Sequence, residues 1–201
     1  MTTYAILKAD VAGWLLRDDL TAAIPSFIRL CESALRRDLR IRQMLKTVTW
    51  PITAQSTALP DDFLEMNRIA LSSTSPELQY MPPSVLYASD AYGDGGEPAF
   101  YAIEGTNLIT APDATGNDVL LGYYRAFDAL SNDSDTNWLL TNGYDAYLYG
   151  SLLHSAPYIK EDERVALWDQ AYNSAIRKLT KSDARSTFAG SALGVRNGAG
   201  P

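Results

Sequence analysis

LSNDSDTNWLLTNGYDAYLYGSLLHSAPYIKEDERVALWDQAYNSAIRKLTK, residues Leu130 to Lys181, holds two helical patterns back to back. The first, about Tyr144 to Ala156, is apolar nearly all round, with Tyr144, Ala146, Tyr147, Leu148, Tyr149, Leu152, Leu153 and Ala156. A helix of that kind packs on several sides at once. The second puts Val165, Trp168, Tyr172, Ala175 and Leu179 at alternating three- and four-residue steps, a single seam with charge opposite. Neither pattern carries a group placed for chemistry. Both are placed for packing, which points to an architectural protein.

Working outward, the N-terminal segment repeats the theme. Tyr4, Leu7, Val11 and Trp14 share one helical face, so a first helix is predicted over Thr3 to Leu16. Arg17-Asp18-Asp19 is a polar break. Pro25 suits the first turn of a second helix, where its missing N–H costs nothing. Phe27, Cys31, Ala34 and Leu35 form that helix's buried side, so the lone cysteine reads as a small core residue.

The middle of the chain changes character. Prolines recur at 51, 60, 76, 82, 83, 98 and 112, between short runs of β-branched and aromatic residues. Strands are predicted near Thr47–Ile52, Met66–Ser72, Leu78–Met81, Ala99–Ile103, Asn107–Thr110 and Asp118–Ala126. Glu104-Gly105-Thr106 is a hairpin signal. Ser84–Tyr92 reads as a short helix beside the glycine-rich loop 93–96.

In the C-terminal part, Asn142 or Gly143 opens the first of the two closing helices and Pro157 marks its end or a kink. Glu161-Asp162-Glu163 precede the second, and Arg177, Lys178 and Lys181 are expected at its C-terminus, both complementing the helix dipole. Residues 186–201 hold little apolar surface and read as a flexible tail that orders only on a partner. The fold class expected is α+β: one domain over 1–185, with helices in 1–46 and 137–183 packing together as a bundle and a β-rich insertion between them, 47–127, projecting from it.

Composition narrows function. The 201 residues are 46% hydrophobic and 20% charged, ordinary for a globular chain. No apolar run approaches the roughly 18 residues that cross a bilayer, and MTTYAILKADVAGW is not a secretory signal. One cysteine suits a reducing cytoplasm. The net charge of −7 is the wrong sign for tight phosphate neutralisation. It is compatible with surrounding DNA, because a repulsive wall does not grip what passes. The charge is uneven. Arg29, Arg36, Arg37, Arg40, Arg42 and Lys46 face only Glu32 and Asp38, so this segment is net +4 and the remainder −11. It reads as a solvated helix face, as a surface complementary to an acidic patch on a neighbour, or, in the alternative of a DNA-associated binding module, as a phosphate contact. No aromatic platform is interleaved to support the last.

Catalytic and metal motifs fail one by one. There is no GxxxxGK, and the loop 93–96 lacks the flanking strand and helix of a dinucleotide site. Asp133, Asp135 and Asn137 match the start of a calcium loop, but Trp138 replaces the turn glycine and Tyr144 the closing glutamate. That segment reads instead as a capping loop. His154 is the sole histidine and cannot build a zinc cluster. Asp61, Asp62 and Glu65 read as a turn after Pro60. No cofactor, metal or catalytic residue is expected. Of the twelve tyrosines, Tyr123, Tyr124, Tyr144, Tyr147 and Tyr149 are the candidates for interface anchors.

The segment Leu130–Lys181, with IPSFIRLCESALRRDLRIRQM, LPDDFLEMNRIAL, ELQYMPPSVL, GEPAFYAIEGTNLITAP and LLGYYRAFDAL in the same order, resembles the head-to-tail adaptor proteins of tailed bacteriophages. The likeness covers roughly Ala22 to Asp183. It implies a structural protein of the virion neck, between capsid and tail, made in the host cytoplasm. It implies a cyclic homo-oligomer, of twelve copies to match the portal protein, with tail or neck proteins beyond and DNA passing through the lumen without sequence recognition. It implies no enzyme activity and no membrane. Arg36, Arg37, Arg40 and Arg42 become candidates for a subunit or portal interface. Arg185, Phe188, Leu193, Val195 and Arg196 become candidates for a docking tail.

Overall fold

The computed structural model describes residues 2–72, 77–93, 96–159 and 163–188. The chain is a mixture of helix and mainly antiparallel sheet, with one parallel pair, an α+β fold, and it divides into two compact units. One joins Met1–Arg42 to Phe127–Pro201; the other is Gln43–Ala126.

The first unit is helical. Helix α1 (Tyr4–Leu15) buries Tyr4, Leu7, Val11 and Leu15. The sequence placed Trp14 on that stripe, and the structure moves it off: Trp14 is 46% exposed. At about 100° per residue, position 15 returns to within about 20° of position 4, while position 14 stands about 80° away. Leu16 ends the helix in the left-handed region, at φ 55, and its N–H bonds Ala12 O. A 3-10 turn over Asp18–Ala23 leads into α2 (Ile24–Asp38), with Pro25 in its first turn. Helix α2 buries Phe27, Cys31, Ala34 and Leu35 as read from the sequence, together with Ile24 and Ile28.

After the return from the second unit, the capping loop ends in a short helix that the sequence reading missed, α4 (Trp138–Asn142). Helix α5 (Tyr144–His154) follows, with Ala146, Tyr147, Leu148, Gly150, Ser151 and Leu152 buried. Its all-round apolar character has a direct cause: α1, α2, α4 and α6 (Arg164–Phe188) all pack on it. Pro157 lies in a 3-10 turn, Ala156–Tyr158, that ends the segment. Helix α6 (Arg164–Phe188) buries Trp168, Tyr172 and Ala175 and half-buries Val165 and Leu179, the predicted seam.

Two expectations at this end are corrected. Arg177, Lys178 and Lys181 lie inside α6, and the last turn carries Arg185. The helix also takes in Ser186 and Phe188, which the sequence reading gave to the tail. No glycine or proline interrupts the chain before Gly190, and each further helical residue adds a hydrogen bond at small entropic cost. Glu161, Asp162, Leu193, Val195 and Arg196 lie outside the described residues.

The second unit holds two sheets. Strands β1 (Leu45–Pro51), β2 (Ser56–Ala58), β3 (Phe63–Leu71), β4 (Gln79–Tyr80), β5 (Phe100–Glu104), β6 (Asn107–Ala111) and β7 (Asp118–Arg125) order as β1-β7-β3 and β2-β6-β5-β4. Central β7 is antiparallel to both neighbours, with Leu121 opposite Val48 and Ile69. The sheets share one core in which Val119, Leu121 and Tyr123 meet Ile52, Leu59, Ile69, Leu78 and Leu108. A short helix, α3 (Pro83–Tyr87), seats Leu86 on Ala102, Ile109 and Ala111. The β5–β6 hairpin turns through Gly105-Thr106 as expected, with Gly105 at φ 59. Strand β2 escaped the sequence reading because three residues show no alternation. The predicted helix 84–92 is α3 followed by a separate 3-10 turn, Asp90–Tyr92.

Gly150 is a point of close helix approach in the helical unit. A Cβ built there would collide with Cys31 Sγ on α2 and come within 3.0 and 3.1 Å of the Tyr172 ring on α6. Gly150→Ala is therefore expected to destabilise by about 1–3 kcal/mol from overpacking, against the roughly 1 kcal/mol that alanine ordinarily adds to a helix. Adding Cys31→Ala should recover part of the loss. Thermal unfolding of both variants checks this; a higher melting temperature for Gly150→Ala would mean that the three helices do not approach so closely.

Candidate interaction surfaces

The four arginines grouped by sequence differ in what they bond within the subunit. Arg36 and Arg37 are exposed in the last turn of α2. Arg40 turns back, donating to Arg36 O at 2.9 Å and Leu39 O at 2.7 Å. Carbonyls at a helix C-terminus lack intrahelical donors, and a guanidinium supplies them. The Arg42 N–H donates to Asp183 Oδ1 at 3.0 Å, and its Nε lies 3.6 Å from the same oxygen. Lys46 pairs with Asp62 at 2.9 Å in the other unit. The exposed positive surface of this segment thus centres on Arg36 and Arg37, while Arg40 and Arg42 fix the chain after α2. Arg185 is exposed in the last turn of α6.

His154 is half-buried in the last turn of α5, and its pKa is lowered, first by burial and then by Arg37. Cys31 is fully buried, and burial pushes its thiol up, away from the reactive thiolate. Cys31 is a core residue, and His154 sits partly covered at the edge of the helical unit. Among the described residues no three His, Cys, Asp or Glu side chains gather to hold a metal.

The capping loop is held by a set of backbone and side-chain hydrogen bonds. Asp133 O and Asp135 O accept from Ala5 N–H and Tyr4 N–H, satisfying the open N-terminus of α1. The Asp135 carboxylate accepts from the Ser131 and Asn132 N–H groups, and Asp133 takes Lys8 at 2.6 Å. Asn137 caps α4 by accepting from Leu140 N–H at 2.8 Å, while its amide donates to Asp128 O and Tyr147 Oη, both at 2.9 Å. The carboxylates that imitate a calcium loop are thereby used inside the protein.

Glu32 completes this network, and sequence reasoning missed it. It was counted only as a partner for nearby arginines. Its Oε1 accepts from Leu130 N–H at 3.0 Å and lies 3.4 Å from Tyr147 Oη. Burial raises its pKa, and the bonds from Leu130 and Tyr147, with Arg36 nearby, oppose that without reversing it.

In the β unit an apolar cleft of about 780 Å³ opens between the sheets, walled by Phe63, Met66, Tyr80, Tyr101 and Ile103. Asp61 and Glu65 are exposed at its mouth. Asp62 lies apart, accepting from Tyr123 Oη at 2.7 Å and from Lys46. Burial works to raise its carboxyl, and these two donors outweigh it, so the value falls below the usual range. The three acids are therefore not one cluster. The cleft lining contains neither histidine nor cysteine.

The tyrosines singled out in the sequence are mostly internal. Tyr123 and Tyr147 are buried, and Tyr124, Tyr144 and Tyr149 half-buried, with Tyr144 hydrogen-bonded to Asp10. The exposed ones are Tyr80, Tyr87 and Tyr158. Tyr158 sits with Trp14 and Leu16 at one corner of the helical unit. Arg17 donates to Tyr158 O at 3.4 Å, and Arg164 to Trp14 O at 3.1 Å. Leu16 is 82% exposed there. Solvent-facing side chains of this size are candidates for partner contacts. No helix among the described residues is long and apolar enough to cross a membrane.

A family model described as SU10 adaptor protein matches residues 2–196, nearly the whole chain. No curated protein matches.

The raised Glu32 has a pH consequence. The folded carboxyl keeps its proton above about 4.3, where the unfolded one loses it. In the window from that value up to the raised folded pKa the native state binds more protons, so stability falls as pH rises through it. Glu32→Gln, which keeps an acceptor for Leu130 N–H, should raise the melting temperature at pH 7 and lose that advantage below about pH 4. Glu32→Ala leaves the N–H unpaired and should cost about 1–3 kcal/mol. Equal melting temperatures for the two variants at pH 7 would contradict this account of the network.

Proposed function

We propose that this chain, which belongs to the SU10 adaptor protein family, works as a ring of identical subunits beneath the portal, extending the DNA channel toward the tail. The family is one of phage head-to-tail adaptors, and membership places the chain in a structural role at the virion neck, in association with portal and tail proteins. The match over residues 2–196 is the observation that carries the reading.

In this proposal the subunit acts as one adaptor domain. The helices of both chain ends form a bundle that makes the ring body, in twelve copies that follow the portal. The β unit offers the surface for tail or neck proteins. A cyclic ring uses two different complementary faces on each subunit. The exposed Arg36 and Arg37, on an otherwise acidic molecule, fit one such face, with Arg40 and Arg42 holding the turn behind them. Electrostatic complementarity of this kind sets register and partner choice more than affinity. The net charge of −7 suits passage of DNA without retention. Leu193, Val195 and Arg196 of the C-terminal segment serve as anchors on a partner.

Arg36→Glu with Arg37→Glu is expected to leave the free protein folded, since both side chains are exposed, and to reduce attachment to portal at least tenfold. Circular dichroism and co-sedimentation with purified portal read the two effects. Undiminished attachment would remove these arginines from the interface. Free wild-type protein at micromolar concentration should sediment mainly as monomer, because a ring that closes away from its template competes with correct assembly. A stable closed ring without portal would defeat that expectation.

A further inference from the structure

The cleft of the β unit has a feature that the adaptor role leaves unused. Strand β3 is an edge strand of its sheet, and its Phe63–Met66 stretch borders the cleft. Among the described residues no strand pairs with the outer side of that stretch. Strand β4, carrying Tyr80, is likewise an edge of the facing sheet. The cleft is thus an apolar trough bordered by open strand edges with carboxylates at its mouth. An open edge beside an apolar trough is the arrangement that takes up an extended peptide as an added strand.

The C-terminal residues 189–201, AGSALGVRNGAGP, have the matching chemistry. The segment carries one arginine and no acid, opposite in sign to Asp61 and Glu65. Its two sizeable apolar residues, Leu193 and Val195, are two apart. In an extended strand that spacing puts both on one face, about 6.7 Å apart, with Arg196 on the other. Leu193 and Val195 would enter the trough while Arg196 stays at the mouth with the carboxylates. The small residues on either side add no bulk against the strand edges. Thirteen residues span up to about 40 Å when extended, enough to reach a neighbouring molecule.

The geometry points to a strand exchange between copies: residues 189–201 of one chain dock as an extended strand in the Asp61/Glu65-rimmed cleft of a second copy. This rests on the adaptor reading only in that copies of the chain meet one another. It names the partner of the C-terminal anchors as the β unit of a neighbour.

Cysteine cross-linking in the full-length protein tests it, without portal and at high concentration. One pool carries Val195→Cys; the other carries Tyr80→Cys at the lip or, in a second preparation, Ile103→Cys on the floor. Cys31 is fully buried and does not compete. A bismaleimide should link Val195→Cys to either cleft site at least tenfold more than to Thr49→Cys on exposed β1, with a yield that rises with concentration. Arg196→Glu should lower the yield severalfold, and adding Asp61→Lys with Glu65→Lys in the receiving pool should restore it. Tyr80 is exposed, so its replacement leaves the core intact if Ile103→Cys folds poorly. Linkage to Thr49→Cys as frequent as to the cleft overturns the proposal. So does loss of linkage to both cleft sites. Loss of linkage with portal attachment preserved sinks this inference alone. Loss of portal attachment with linkage preserved sinks the adaptor reading alone.

Discussion

The close approach at Gly150 is the constraint on which the helical unit depends. Helix α5 runs through the middle of that unit, and at Gly150 it has α2 on one side and α6 on another, with Cys31 Sγ and the Tyr172 ring filling the space a side chain would take. Helix α6 follows α5 in the chain, whereas α2 belongs to the other end of it. The residues from the two ends therefore share one interior: Phe27, Ile28 and Cys31 with Ala146, Tyr147, Trp168 and Tyr172. A side chain added at the crossing acts on three helices at once, because interiors packed to crystal density transmit volume changes.

A second layer of order comes from polar groups taken inside. The loop from Asp128 to Asn137 has no regular structure, yet its carbonyls close the N-terminus of α1, Asn137 caps α4, and Glu32 and Tyr147 tie it to α2 and α5. Buried polar networks are costly when incomplete, so each partner fixes the others. Such a loop gives a surface protein a defined contour where sequence alone suggests slack. For an adaptor that must present fixed faces to several neighbours, that rigidity is the useful property.

The periodic parts of the fold were legible in the sequence: the seam Trp168–Tyr172–Ala175, the stripe Phe27–Cys31–Ala34, the hairpin at Gly105 and most of the strands of the β unit. What failed has physical reasons. Trp14 was read inward because it continues the three- and four-residue steps from Leu7 and Val11, but the 3.6-residue period gives the inward position to Leu15. Arg177, Lys178 and Lys181 looked terminal because cations often close helices, but nothing after them breaks the helix before Gly190. Within the candidate interface Arg36 to Arg42, the sequence did not show which members also bond inside the subunit; the chain's turn after α2 sends Arg40 to its carbonyls and Arg42 to Asp183. Glu32 and the cleft were invisible because each arises from segments far apart in sequence.

The central claim is that these features belong to a subunit of a ring under a portal. Electron cryo-microscopy of the purified protein mixed with its portal tests it most directly. The account predicts a closed ring on one end of the portal, with the portal's symmetry, its helical units forming the wall and a continuous axial channel. A protein that stays off the portal, or that decorates its outer surface as scattered single copies, would contradict the account.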